Sequence, residues 1–241
     1  QYHETQFYQP YRSTVFFYEW LESFSLFNTG QALELVDIGA GKGANIFYMS
    51  NKAPNINFTG IDLNPELVKA GNDTFRKLNQ NNCNLVQGDL YSLGPEHIKK
   101  YDGIFSLQTL SWLPEERIPI RIMDGLDPDW IAITSLFYDG EVNFKIEVQD
   151  YTCPVAGQPY EEGFYNIYSI PLVKQLFSDL GYTDFRYVPF EIDIDLPKPE
   201  TSGLTTYTEK MENGNRIQIS GALLMSWYFI IAAKASILPK V

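Results

Sequence analysis

Three closely spaced glycines after a short apolar segment are the strongest indication of a ligand-binding site in the sequence. The stretch 34–46 reads ELVDIGAGKGANI, in which an apolar strand runs into Gly39, Gly41 and Gly43 and then into the start of a helix. Glycines there allow a tight turn and let a ligand approach bare backbone at a helix N-terminus. The pattern predicts a pocket for a small-molecule cofactor, and Asp37 places an acid beside it.

Two further acids each end a short apolar segment downstream. Asp62 closes the segment 58–62, and Asp89 follows the segment 84–88. An acid at the tip of the second strand can accept both hydroxyls of a ribose. An acid at the tip of the third strand can accept a hydrogen bond from the amino group of adenine. Asp62 also fits a turn or cap before the helix opened by Pro65. Three acid-tipped strands are harder to explain as caps, so the pattern favours a nucleoside-containing cofactor.

The glycine spacing alone leaves the kind of cofactor open. Gly39, Gly41 and Ala44 also satisfy the G-x-G-x-x-G/A dinucleotide fingerprint, and glycine-rich turns occur without any ligand. An NAD-dependent oxidoreductase is therefore an alternative reading.

With these motifs the chain resembles the class I S-adenosylmethionine (SAM) dependent methyltransferases of the small-molecule type. The segment DIGAGKG at 37–43 stands as the family's first motif, with Asp62 and Asp89 at the second and third positions. The resemblance covers residues 30–190 and implies SAM as cofactor, with S-adenosylhomocysteine (SAH) as product. It implies that the turn and Asp37 hold the methionine end, Asp62 the ribose, and Asp89 with the Leu90 backbone the adenine. The implied cofactor contacts are Asp37, Gly39, Ala40, Gly41, Gly43, Asp62, Leu63, Gly88, Asp89, Leu90 and Leu107.

The region 101–114 resembles the family's fourth strand and the loop where substrate meets the methyl group. The Asn/Asp-Pro-Pro-Tyr form of that loop, typical of amino-group methylation on nucleic acid bases and protein amides, is absent. The residues there instead are Ser106, Gln108, Thr109, Ser111 and Trp112. They are similar to those of methyltransferases that modify small metabolites. A non-catalytic SAM-binding protein is a third reading.

The charge balance excludes polyanionic partners. The formal net charge is −12, and the longest positive run is Lys99-Lys100. Binding nucleic acid or an anionic membrane face normally requires a basic patch. The expected partner is a small molecule, in a monomer or homodimer. Two cysteines without C-x-x-C spacing indicate neither a disulfide framework nor a zinc site, and no metal site is predicted. A cytoplasmic setting is expected, since residues 1–20 are too polar for a signal peptide.

Strands and helices alternate along the first part of the chain. This predicts an α/β, Rossmann-like, doubly wound and mostly parallel seven-stranded sheet, with an antiparallel terminal strand pair and a small antiparallel flap. One domain is expected, divided into a helical lid (1–30), a cofactor-binding core (31–137), the flap (138–168), and a closing helix with antiparallel strands (169–241). Ser13 is expected to cap a helix to Phe27, and one long strand is expected at 216–234.

A catalytic base is the least defined part of this prediction. His3 lies near the start of the chain, and His97 sits beside two lysines in a predicted surface helix. Candidate catalytic residues are Tyr138, Asp139, Tyr165 and His3. Candidate substrate contacts are Arg12, Gln108, Ser111, Trp112, Tyr138, Tyr165 and Asn166. The alternating acids Glu191, Asp193 and Asp195 fit either a solvated strand face or a cation or amine site.

These observations predict a SAM-dependent methyltransferase that acts on a small polar metabolite. Transfer to oxygen is favoured over transfer to nitrogen. A diffuse similarity of segments 106–114 and 196–227 to bacterial enzymes of surface-polysaccharide synthesis suggests a sugar or nucleotide sugar as acceptor.

Overall fold

A central sheet covered by helices on both faces forms the body of the molecule. The computed structural model describes residues 6–27, 32–152, 157–198, 206–220 and 227–234. The helices are α1 (Arg12–Ser23), α2 (Ala44–Lys52), α3 (Pro65–Lys77), α4 (Arg117–Gly125) and α5 (Ile170–Asp179). The strands are β1 (Leu33–Ile38), β2 (Ile56–Asp62), β3 (Cys83–Gln87), β4 (Gly103–Leu107), β5 (Trp130–Tyr138), β6 (Glu147–Asp150), β7 (Glu161–Phe164), β8 (Tyr168–Ser169), β9 (Asp184–Phe190), β10 (Thr206–Lys210), β11 (Arg216–Ser220) and β12 (Trp227–Ala233).

The strand order confirms the predicted fold class. Seven strands follow the path β3-β2-β1-β4-β5-β12-β9, and the two-residue β8 adds an eighth beside β5. Strands β1 to β5 run parallel to one another, whereas β12 runs antiparallel to both β5 and β9. The carboxyl ends of β1, β2, β4 and β5 therefore meet at one edge, where ligands bind in such sheets.

Alternating side chains of the strands fill two cores. In β5, Trp130 and Ala132 join the core beneath α1, α2 and α3, while Ile131 and Ile133 join the core beneath α4 and α5. The period of two in a strand causes this division. Both faces are covered, which explains why β5 reads as a nearly continuous apolar run.

A local sequence signal marks the start of α5, whereas the signal predicted for α1 does not mark its start. Ser169 caps α5 by accepting from the Leu172 amide at 3.3 Å, with Pro171 in the first turn. Ser13 was expected to cap α1, yet the helix begins at Arg12 after Tyr11, and no described side chain caps it. Ser13 instead lies inside the first turn and accepts from Gln108 at 3.3 Å.

Two small hairpins lie apart from the main sheet. The predicted flap is present as the antiparallel pair β6–β7, extended by a bridge between Phe144 and Ile167. A second hairpin, β10–β11, occupies part of the region expected to be a loop and part of the predicted long strand. That strand is two strands, β11 and β12, on either side of residues 221–226, which lie outside the described residues. Among the residues that the structure describes, no helix has the length and hydropathy to cross a membrane.

Candidate functional site

The three glycines of the turn lack side chains for different physical reasons. All three have positive φ: 80° at Gly39, 57° at Gly41 and 77° at Gly43. A Cβ at Gly39 would come within 2.2 Å of Thr109, and one at Gly43 within 2.6 Å of Phe75. A Cβ at Gly41 would meet no described atom within 4 Å. Gly39 and Gly43 therefore serve packing, while Gly41 borders open space in which a ligand can approach the backbone.

A cavity of about 160 Å³ lies against this turn and is partly covered by the N-terminal segment. Gln6, Tyr11 and Thr14 line it from above, and Leu107 and Gln108 line it from the end of β4. The remaining lining residues are Gly39, Ala40, Gly41, Lys42, Ala44 and Asn45. The described part of the N-terminal segment thus lies beside the glycine turn, and its role as a lid stays a prediction.

Asp37 is a buried acid without compensation. It has no solvent exposure, and neither carboxyl oxygen has a hydrogen-bond partner among the described residues. Burial, and next the charge of Asp62, raise the pKa of Asp37 well above its usual range. The nearby Leu107 backbone amide opposes this shift in pKa, without the geometry of a full hydrogen bond. A cationic group on a ligand would relieve this energetic cost.

Asp62 ties the glycine turn to the end of β2. Its carboxylate accepts from the Gly41 amide at 2.7 Å and from the Asn64 amide at 2.9 Å. The cap of α3 is Asn64, which accepts from the Glu66 and Leu67 amides. Asp62 is therefore not the cap. A carboxylate oxygen accepts more than one hydrogen bond, so Asp62 keeps capacity for ribose hydroxyls.

The remaining predicted cofactor contacts, among them the two assigned to the adenine, lie along the same edge beyond Asp62. Leu63 is 66% exposed, which is unusual for leucine and leaves its side chain open to a flat ligand. Asp89 is exposed and accepts from the Tyr91 amide at 3.0 Å. Gly88 is closed to a side chain, because a Cβ there would come within 2.8 Å of Ile61, and Leu90 packs on the second core.

The end of β4 carries a strained residue at the cavity. Gln108 has φ of 61°, a conformation that residues other than glycine rarely adopt. Its amide donates to the Thr134 carbonyl at 2.8 Å, and its side chain reaches Ser13 on α1. Such strain concentrates at functional sites. Gln108 thus joins the sheet, the cavity and the N-terminal helix.

Two of the predicted substrate contacts form hydrogen bonds within the fold. Asn166 is fully buried, and its side chain accepts from the Ile146 amide and donates to the Leu113 carbonyl, both at 2.8 Å. Ser111 is also buried, and its carbonyl accepts from the Asn166 amide at 2.8 Å. These bonds dock the flap onto the loop after β4. The Asn166 side chain is therefore not available to a substrate, which corrects that prediction. The backbone of Ser111 serves the fold, and its buried hydroxyl has no hydrogen-bond partner among the described residues, so its contact with a substrate stays a prediction.

The other candidates at this edge are mostly accessible. Trp112 and Tyr138 are both exposed, whereas Tyr165 is buried against Trp112 with ring centroids 5.2 Å apart. Asp139 follows β5 and accepts from the Tyr187 hydroxyl at 3.4 Å. Burial, and next the charge of Asp139, raise the pKa of Tyr187. Tyr187 therefore stays protonated at neutral pH and donates to Asp139.

Arg12 and the acids after β9 form ion pairs rather than a substrate or cation site. Arg12 pairs through two nitrogens with Asp193, 181 positions away, and Arg216 pairs with Asp195 at 2.7 Å. Residues 191–195 are not a strand, and no described group of three or more potential ligands could hold a metal ion. Arg12 thus anchors the N-terminal segment, which corrects its predicted role as a substrate contact.

The histidines contribute little to the described site. His97 is buried and lies 3.2 Å from the Tyr101 hydroxyl, which confirms a structural role. His3 lies outside the described residues.

A second, larger cavity opens at the same edge of the sheet beside α1. Its volume is about 420 Å³, and it lies between hairpin β10–β11 and the ends of β9 and β12. Its polar lining includes Glu191, Asn215, Arg216 and Gln218, and its apolar lining includes Phe190, Ile192, Met211, Ile217 and Trp227. Sequence reasoning missed this cavity because the hairpin that walls it was not predicted.

Comparison with known proteins agrees with this geometry. Residues 36–126 match the family model described as a methyltransferase domain. The malonyl-[acyl-carrier protein] O-methyltransferase 2 of Ilyobacter polytropus is 28% identical over 108 residues, which are 44% of this chain and 40% of that protein. The chain thus spans well under half the length of this curated relative.

Solved structures share the fold at low sequence identity. A putative sarcosine dimethylglycine methyltransferase from Galdieria sulphuraria aligns with a TM-score of 0.55 and 16% identity over 74% of this chain and 62% of that one. Magnesium protoporphyrin IX methyltransferase from Synechocystis PCC 6803, with bound SAH, aligns with a TM-score of 0.57 and 13% identity over 93% and 82%. Identities this low establish the fold alone.

The site fits the cofactor that the fold indicates, which is SAM. The uncompensated carboxylate of Asp37 suits the ammonium of its methionine end, and the open space beside Gly41 admits a ligand against the backbone. Residues 36–126 therefore resemble a methyltransferase domain, and the fold is that of the solved methyltransferases with which the chain aligns.

Proposed function

We propose that this chain transfers a methyl group from SAM to an oxygen atom of a small polar metabolite. The observation that carries this proposal is the cavity of about 420 Å³ at the same edge of the sheet as the cofactor site. Its volume is in the range of small-molecule pockets, and its lining combines amide, carboxylate and guanidinium groups with apolar side chains. Such a lining suits an acceptor with several hydroxyl groups.

A sugar is the acceptor class that best suits this lining. Planar polar side chains such as Asn215 and Glu191 can bond neighbouring hydroxyls, while Phe190 and Trp227 offer apolar surface to a ring. A nucleotide sugar would also bring a diphosphate. Arg216, the cation of this cavity, is already paired with Asp195.

The chain's own residues would align the acceptor and receive its proton. When bound, SAM supplies a methyl group activated by a sulfonium. The glycine turn fixes the cofactor end of the site, and the segment with Tyr11 and Thr14 excludes water from it. A hydroxyl acceptor must lose its proton as the oxygen–methyl bond forms. Asp139, an exposed carboxylate at the end of β5, is the candidate to take it.

Calorimetry distinguishes this function from that of an NAD-dependent oxidoreductase. We expect SAH to bind with a Kd in the micromolar range and NAD not to bind, because a buried carboxylate suits an amino-acid tail and repels a pyrophosphate. Asp62→Ala should weaken SAH by about 2 to 3 kcal/mol. Asp73→Ala, which removes an exposed acid on α3, is the matched control. NAD binding with no SAH binding would refute the proposal.

Turnover distinguishes an enzyme from a non-catalytic SAM-binding protein. Radiolabelled SAM offered with a panel of sugars, amino sugars, nucleotide sugars and carboxylic acids should label at least one hydroxyl-bearing acceptor. Asp139→Asn should lower the rate of transfer to a hydroxyl while SAH affinity is retained. Label found only on nitrogen would contradict oxygen transfer, and SAH binding without any turnover across the panel would favour the non-catalytic reading.

A further inference from the structure

Four aromatic rings lie together where the flap meets the ends of β4 and β5. Trp112 packs edge-on against Tyr165 with centroids 5.2 Å apart, and Tyr138 packs edge-on against Phe144 at 5.8 Å. We refer to Trp112, Tyr165, Phe144 and Tyr138 as the aromatic row.

The register of the flap joins the two ring pairs. Phe144 pairs with Ile167, and the Tyr165 amide donates to the Ile146 carbonyl at 3.0 Å. Phe144 and Ile146 share one face of their strand, so Phe144 is the diagonal neighbour of Tyr165 across the hairpin. Aromatic side chains at such diagonal positions are within reach of each other. The two ring pairs are therefore neighbours at the base of the flap.

The aromatic row is accessible at the edge of the sheet where an acceptor must approach. Trp112 is 46% exposed, Tyr138 42% and Phe144 36%. Trp112 follows β4 and Tyr138 ends β5, so both stand on the same edge as Gln108 and the glycine turn. Contiguous exposed aromatic side chains at a ligand-binding edge indicate a binding surface.

The charge around the row favours a cation. Residues 138–168 include the acids Asp139, Glu141, Glu147, Asp150, Glu161 and Glu162. Lys145 is the only lysine or arginine in that segment, and it pairs with Glu116 at 3.6 Å and donates to the Pro114 carbonyl at 3.0 Å. The faces of aromatic rings attract cations, and the acidic surroundings add to the same field. Both effects disfavour a phosphate.

We infer that the aromatic row binds a positively charged group of the acceptor, either a protonated amine or a quaternary ammonium. The inference rests on the proposed function, because it names a second group of the acceptor in that reaction; the row itself lies at the flap and shares no lining residue with the cavity of about 420 Å³. Among sugars it selects amino sugars over nucleotide sugars. The accepting hydroxyl and the cationic group then belong to one molecule.

Two ligands of the same shape, one charged and one neutral, separate the contribution of charge to binding from that of shape. Choline and its uncharged analogue 3,3-dimethylbutan-1-ol are titrated into protein saturated with SAH, and binding is followed by ligand-observed NMR. We expect choline to bind about tenfold more tightly, as a desolvated cation over aromatic faces would. Equal affinities, or no detectable binding of choline, would overturn the inference.

Variants of the aromatic row test whether the preference for choline arises at these rings. Trp112→Leu should abolish the preference for choline, and Trp112→Phe should keep part of it because a ring face remains. Tyr151→Leu removes an exposed aromatic of the same flap segment outside the row and should keep the full preference. Thermal unfolding verifies that each variant is folded. A preference unchanged in Trp112→Leu would place the cation elsewhere and refute the row. Failure to bind SAH contradicts the proposed function itself, so the two failures are distinct.

Discussion

The buried carboxylate of Asp37 lowers the stability of the free protein but favours binding of the cofactor. Its buried carboxylate has no partner among the described groups, so ionising it in the free protein is unfavourable. In the unfolded chain the carboxyl ionises near its ordinary pKa of about 4. In the folded chain it holds its proton to higher pH. The native state therefore binds more protons across that window, and stability decreases as pH rises through it.

Asp37→Asn is consequently expected to stabilise the free protein while weakening the cofactor. At neutral pH the gain should be about 1 to 3 kcal/mol, the scale of an uncompensated buried polar group. The gain should grow as pH rises from about 4 and level off above the folded pKa. Urea unfolding between these pH values measures it, and SAH calorimetry measures the lost affinity. Asp73→Asn is the exposed control, and a pH-independent gain would contradict this account.

The glycines of the turn permit a second comparison between residues. Gly41→Ala places a methyl group in the open space beside the turn, so the fold should lose only about 1 kcal/mol for the left-handed backbone. SAH binding should fall strongly. Gly43→Ala drives a methyl group into Phe75 and should cost about 2 to 5 kcal/mol by adding overpacking to the same strain. Unfolding and calorimetry on both variants decide whether Gly41 serves the ligand; equal losses of stability would show that it does not.

The N-terminal segment combines two roles that the sequence prediction treated as rivals. The later part of α1 packs on the sheet, where Phe17 lies 5.4 Å from Phe229 between ring centroids. The residues before and at its start line the cofactor cavity. Phe7 is buried against Phe47 and Phe75, so a deletion of residues 1–10 would also remove core packing. Point variants test the lid better than truncation.

Saturation with SAH should slow amide exchange across residues 6–20. Closure over the cofactor stabilises that segment, while α4 on the opposite face should be unchanged. Tyr11→Ala should weaken SAH, whereas Tyr8→Ala, at a 76% exposed neighbour, should not. If exchange in the segment is unchanged and both variants bind like the parent, the segment is only a packing element.

Local sequence patterns predicted most of the strands of the sheet. Contacts between residues far apart in the chain could not be predicted from the sequence. Strand β2, which ends at Asp62, and strand β3, which ends two residues before Asp89, carry apolar residues that specify them without knowledge of partners. The association of Arg12 with Asp193 depends on chain reversal across most of the molecule. Asn166 illustrates the same limit, because a polar residue at a rim position becomes structural once Ile146 and Leu113 present backbone groups to it. One long strand was predicted at 216–234, so the pairing of residues 216–220 with β10 in a separate hairpin was missed.

At the scale of the whole molecule, the net negative charge predicts that nucleic acids and other polyanions do not bind. The chain has 18 basic and 30 acidic residues, and described cations such as Arg12, Arg186, Arg216 and Lys234 are paired with acids. The net charge of −12 repels a polyanion. A gel-shift assay with a short DNA duplex at about 50 mM salt should show no complex. A retained, salt-sensitive complex would point to a nucleic acid acceptor and against a small molecule.

The position of β12 has a consequence for how the chain folds. It lies between β5 and β9, and Ile230 pairs with Ile133, roughly a hundred residues earlier. During synthesis β9 emerges before the strand that must join it to the sheet. Until residues 227–233 leave the ribosome, β5 presents an unpaired apolar edge to the cell, as does β9. The half of the sheet that holds the cofactor can form early, whereas the wall of the larger cavity must wait. In a nascent chain, cofactor affinity should therefore arise before acceptor affinity.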